Sequence, residues 1–102
     1  MEFDYPHQLE KEDARARLGR LGQYLQNRHG IAVSWNGDRG HFSGKYLVVH
    51  IDGELILGDG LVHVSGKDPG FLWRKRASDY LKRKLGAYLD PSVAADQLPI
   101  GR

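Results

Sequence analysis

Cysteine is absent from the chain, which removes disulfides, thiolate metal sites and cysteine nucleophiles together. The absence fits a reducing compartment, and the cytoplasm is the expected location. Long apolar runs are missing too, since no stretch approaches the ~20 apolar residues of a membrane-spanning helix. The acidic start Met1-Glu2-Phe3-Asp4-Tyr5 lacks the apolar core of a secretory leader, so a soluble, unexported protein is expected. Neither GxxxxGK[ST] nor GxGxxG occurs, and the glycine-rich stretch 37–44 joins strands instead of leading a helix. The Asp-Gly pairs at 52–53 and 59–60 lack the twelve-residue spacing of a calcium loop. Ser34, Ser43, Ser65 and Ser78 sit in no nucleophile motif. The expectation is a protein that is not an enzyme and has no cofactor.

What is present is a strong strand pattern. Between Tyr46 and Ser65, residues Leu47, Val49, Ile51, Leu55 and Leu57 recur at every second position, Gly53 holds the vacant place, and Val62 and Val64 resume after Asp59-Gly60. This reads as a β-hairpin with one continuous apolar face. A two-residue type I′ turn at Asp59-Gly60 sets Leu57 opposite Val62 and Leu55 opposite Val64. Any shift would mix apolar and polar residues on one face. Gly53 in mid-strand suggests a bulge or bend within one long strand.

Upstream, Ile31, Val33 and Trp35 alternate, and Asn36-Gly37-Asp38-Arg39-Gly40 signals a turn into His41-Phe42-Ser43, a first hairpin. Two helices flank the strands. In the first, Ala14, Leu18, Leu21 and Leu25 make a narrow apolar stripe, with Arg15, Arg17, Arg20, Gln23 and Asn27 on the remaining circumference. Acids load its first turn, Arg28 and His29 its last, and Gly30 ends it. Gly19 and Gly22 weaken it, and close approach to the sheet is one reason to tolerate them. Asp68-Pro69 starts the second helix, whose broad apolar face is Trp73, Ala77, Tyr80, Leu81, Leu85, Tyr88 and Leu89, and Pro91 stops it.

The expected fold is an α+β two-layer sandwich in the order αββββα, with a four-stranded antiparallel sheet and both helices on one face. Residues 1–8 are a lead-in, residues 1–90 form a single domain, and residues 91–102 are a mobile tail. The uncovered sheet face carries Tyr46, Val48, His50, Asp52, Glu54, Ile56, Leu61, His63 and Ser65. Its candidate binding surface, for a second copy or another partner, is Tyr46, Val48, His50, Ile56, Leu61 and His63. His50, Asp52 and Glu54 share that face at i+2 spacing, as alternating polar residues on a solvated face do by default, so no metal or catalytic site is assigned to them.

Charge is nearly balanced at +2, but residues 68–90 hold six Lys and Arg against three Asp. Lys75, Arg76, Lys82 and Arg83 form a candidate polyanion contact, interrupted by Asp79 and without interleaved aromatics to stack a base. The alternative function to a non-catalytic binding protein is therefore a small nucleic-acid-binding module.

Read in order, His7-Gln8-Leu9, Glu12-Asp13-Ala14-Arg15-Ala16-Arg17, Gly30, Trp35 with Gly37-Asp38, Phe42, Gly53-Glu54-Leu55 and Gly70-Phe71-Leu72 resemble the polyhydroxyalkanoic acid system family of small bacterial proteins. The resemblance spans residues 5–90. It departs in a longer segment between Phe42 and Gly53 and in the proline-bearing tail. It implies a role in storage-polyester metabolism, with a granule surface, a granule protein or a second copy of the chain as partner. It implies no defined reaction and no catalytic residues.

Overall fold

In the computed structural model, which describes all of Met1–Arg102, the order is β1 (Glu2–Pro6), α1 (Lys11–His29), β2 (Ala32–Asn36), β3 (Arg39–Tyr46), β4 (Val49–Gly58), β5 (Leu61–Gly66) and α2 (Phe71–Tyr88). A 3-10 turn follows at Ala95–Gln97. The strands form one antiparallel sheet in the order β1-β5-β4-β3-β2. β2 to β5 are a meander, and α1 carries the chain from one sheet edge to the other. Leu18 and Leu21 of α1 and Leu85 and Tyr88 of α2 share one buried cluster with Phe42, Leu55, Leu57, Val62 and Val64. Both helices therefore cover the same sheet face. The sheet has five strands where the sequence pattern suggests four.

The additional strand is the supposed lead-in. Phe3 and Tyr5 alternate inward onto the core, while Glu2 and Asp4 lie opposite Ser65 and His63. Acidic residues disfavour strand, so local preference is weak here, and the anchor is remote in sequence. His63 Nδ1 lies 2.6 Å from Asp4 Oδ1 and its Nε2 3.1 Å from Glu2 Oε1. A neutral imidazole donates from one nitrogen only, so two facing carboxylates favour the doubly protonated ring. The hydrogen bond to Asp4, ahead of that to Glu2, raises the His63 pKa.

The second hairpin keeps its expected register, with Leu55 opposite Val64 and Leu57 opposite Val62. Its turn is not type I′, because only Gly60 is left-handed, at φ 74°, and Asp59 is not. Gly53 makes no bulge either: pairing runs without a break through Asp52–Ser43, Gly53–Phe42 and Glu54–His41. The glycine is needed because the Phe42 ring lies over it. A Cβ there would fall 2.6 Å from Phe42 Cζ and 2.7 Å from the Ser65 carbonyl oxygen.

The long strand expected from Tyr46 onward begins only at Val49, and Tyr46 belongs to the strand before it. Tyr46 pairs with Val49 across a two-residue reversal at Leu47-Val48, and Leu47 takes φ 56°. No glycine, asparagine or proline marks this turn, so the apolar alternation runs through it undisturbed. Two candidate surface residues move as a result. Tyr46 ends β3 on the helix side, where its ring meets His29 edge-on at 5.4 Å, and Val48 occupies the turn.

In α1, Gly30 at φ 69° receives the chain, its N–H bonding Gln26 O in the 5→1 pattern of an αL end, while the Ile31 N–H bonds Leu25 O. A Cβ on Gly22 would lie 3.2 Å from Val33, so this glycine does serve close approach to the sheet. Arg17 is not on the solvated circumference. It is 4% exposed, and its guanidinium donates to Asp13 Oδ1 at 2.9 Å, Tyr88 O at 3.3 Å and Asp90 O at 2.8 Å. These carbonyls lie at the C-terminal end of α2, where the helix dipole favours a cation.

α2 begins at Phe71, two residues beyond the Pro69 start that the sequence suggests. Gly70, at φ 99°, precedes it without a side-chain cap, and Asp68 instead accepts the Gly70 N–H at 2.9 Å and pairs with Arg74. Residues 91–102, aperiodic and expected to be mobile, lie back along α1. Leu98 is buried, Arg20 Nε donates to its carbonyl at 3.0 Å, and Asn27 Nδ2 donates to Ile100 O at 2.7 Å. The Tyr88 hydroxyl donates to Pro99 O at 2.5 Å, and burial pushes its pKa up to about 12.

Candidate functional site

Strand lengths create the most distinctive surface feature. β2 pairs with β3 only as far as Ser43, and β5 pairs with β4 only from Gly53 onward. Between those limits β3 and β4 pair only with each other, Gly44–Ile51, Lys45–His50 and Tyr46–Val49, as a two-stranded arm running past the five-stranded sheet. At its tip Leu47 and Val48 are 68% and 78% exposed. A bulky side chain at positive φ is uncommon, and here it adds strain to exposure.

The first turns of α2 stand across from this arm. Only Leu85 and Tyr88 of the helix are buried, both near its C-terminal end. Phe71 and Leu72 are 78% and 73% exposed, and Trp73, Ala77, Tyr80 and Leu81 are half-buried. The result is a groove of about 530 Å³ between arm and helix, within the size range of small-ligand sites. Leu25, Ile31, Phe42 and Ile51 contribute to its lining from the α1 and sheet side, Trp73, Ala77, Tyr80 and Leu81 from α2, and Tyr46 and Leu47 from the arm.

An aromatic cluster borders the groove. His29 Nε2 lies 3.1 Å from the Tyr80 hydroxyl, and the His29 ring also meets those of Tyr24 and Tyr46. It joins α1, α2 and the arm. Burial, as the main cause, raises the Tyr80 pKa, so the hydroxyl stays protonated near neutral pH.

Charges also border the groove. Arg76 and Arg83 both line it, and neither has a carboxylate partner within salt-bridge distance. The Arg76 guanidinium lies 5.7 Å from the Trp73 ring centroid, and that of Arg83 5.5 Å from the Tyr80 centroid. Of the two bordering acids, Asp79 is paired with Lys75 at 2.9 Å, and Asp52 with His41 at 2.9 Å and Lys67 at 3.9 Å. The four cations read as one polyanion contact are thus differently engaged. Lys75 holds Asp79 and Lys82 lies 5.1 Å from the Phe3 ring, while Arg76 and Arg83 edge an apolar groove.

Of the candidate sheet-face surface, His50, Ile56, Leu61 and His63 alternate with the core-facing positions of their strands, His50 also bordering the groove, and Tyr46 and Val48 do not join them. An ion pair, Arg39–Glu54 at 3.0 Å, and a polar contact, His41 Nε2 to Asp52 Oδ1 at 2.9 Å, cross this face, so it is more polar than the strand pattern suggests. His50, Asp52 and Glu54 are not part of any cluster of three or more His, Cys, Asp or Glu able to hold a metal. No helix is long and apolar enough to cross a membrane.

A family model described as "Putative polyhydroxyalkanoic acid system protein" matches residues 1–92. The chain belongs to this family. The polyhydroxyalkanoic acid system match spans every strand and both helices, and so includes the groove, the arm and Arg76 and Arg83. No curated protein and no solved structure matches the chain.

Proposed function

We propose that this member of the polyhydroxyalkanoic acid system family is a non-catalytic binding protein that attaches to the storage polyester through its open end. One observation carries this reading. The exposed large apolar residues, Tyr46, Leu47, Val48, Phe71 and Leu72, belong to the two elements flanking one groove, the arm tip and the first turn of α2. Apolar side chains left in water at adjoining positions favour contact with an apolar surface. A hydrated polyester offers such a surface without requiring a shaped partner.

Co-sedimentation with native granules and with protein-stripped polymer, at low and high salt, tests the reading. The expected result is pelleting on stripped polymer that survives high salt, because apolar contact is not screened as charge is. Leu47→Ser, Val48→Ser, Phe71→Ser and Leu72→Ser combined should leave the protein folded and in the supernatant. Pelleting only on native granules would transfer the role to a granule protein as partner. Failure to pellet on either would overturn granule attachment, and pelleting lost at high salt would return attention to nucleic acid or another polyanion.

A further inference from the structure

We infer that the groove is a binding site for a single anionic amphiphile, an unbranched acyl chain ending in a carboxylate. This goes beyond attachment to a polymer surface and does not depend on it. The apolar lining from Ile31, Phe42, Ile51 and Leu81 suits a methylene chain, which has no polar group to satisfy. The polar requirement falls at one end of such a ligand, and the groove offers cations to match it. Arg76 and Arg83 lie seven residues apart, about 10 Å along the helix, with Tyr80 between them.

Charge complementarity decides the sign of the head group. The acids at the groove, Asp52 and Asp79, are already engaged by His41, Lys67 and Lys75, whereas the two arginines carry no carboxylate partner. A guanidinium presents paired N–H donors in the geometry a carboxylate accepts. A cationic amphiphile would meet the arginines as like charges. A neutral one would gain only the apolar contact.

Trp73 lines the groove and Trp35 does not, so Trp35→Phe leaves one tryptophan, at the site, as reporter. Decanoate titrated below its micellar range should shift the Trp73 emission saturably at one equivalent. Calorimetric titration of the unaltered chain should give the same constant without the tryptophan exchange. Combined Arg76→Gln and Arg83→Gln should weaken decanoate by about tenfold or more, the scale of a lost charge-assisted pair. Lys11→Gln with Arg102→Gln removes the same net charge at positions that do not line the groove and should leave affinity unchanged. The inference is overturned if decyltrimethylammonium binds as tightly as decanoate, if the paired arginine exchange has no effect, or if the signal fails to saturate. A negative granule sedimentation leaves it standing, and a negative decanoate titration leaves polymer attachment standing.

Discussion

The two ends of α2 are built from similar residues and treated differently. At the C-terminal end Leu85, Tyr88 and Leu89 are buried, Arg17 binds the final carbonyls, and the chain continues to Leu98, which is buried as well. At the N-terminal end Phe71 and Leu72 are left in water and Trp73 is only half covered. The difference is not hydrophobicity, since both ends carry large apolar side chains. It lies in what stands opposite: α1 and the returning chain at one end, a two-stranded arm and a groove at the other. Stability is concentrated at the closed end, and surface available for binding at the open one.

Leu85→Ala should break this contrast most severely, destabilising the protein by about 2–5 kcal/mol through lost burial and an unfilled cavity. Chemical denaturation would measure it, and a loss under 1 kcal/mol would mean that the closed end is not the anchor. Arg17→Ala should cost less, about 1–3 kcal/mol, because it strips donors from buried carbonyls without emptying the apolar core. Its signature is local: amide exchange should accelerate around Tyr88 and Asp90 more than in β4. Leu72→Ser, at the opposite end, should stay within about 0.5 kcal/mol of the parent. A large loss there would show that the open end supports the fold after all.

The smallest effect concerns pH and sharpens the contrast from outside the helix layer. The folded pKa of His63 is raised, so the bonds to Asp4 and Glu2 contribute stability that is fully present below its ordinary value of 6.5 and is lost as pH rises through the raised value. His7 works in the opposite sense: desolvation lowers its pKa, so its contribution is lost as pH falls below 6.5. His63→Asn should flatten the alkaline side of a melting-temperature profile and leave the acidic side in place. Exchange at both ends of α2 should not change with it. An unaltered alkaline limb would show that the β1 strap has no thermodynamic weight.

Much of the fold is written locally. Alternation and the Asp-Gly reversal specify the pairing of Leu55 with Val64, and the apolar stripe with Gly30 specifies α1. What the sequence conceals is held by distant partners or lacks a local mark. β1 contains two acids and depends on a histidine some sixty residues away. The Leu47-Val48 turn contains none of the residues that ordinarily signal one, so the pattern reads as unbroken strand. Arg17 resembles any basic residue on a helix until the carbonyls of residues 88 and 90 reach it. The apolar face of α2 was visible, and so were Arg76 and Arg83. Which half of that face would be covered was not, because coverage depends on how far β3 and β4 extend past their neighbours.

The placement of β1 also has a consequence in time. Its only partner in the sheet, β5, begins at Leu61. At a synthesis rate of roughly 5–20 residues per second, β1 exists for several seconds before β5 has been made. The β2–β5 meander, joined by two-residue turns, can close without it, so the first strand made is the last to join the sheet. Pulsed hydrogen exchange during refolding would register this as late protection at Phe3 and Tyr5. Protection there before Leu55 would reverse the order.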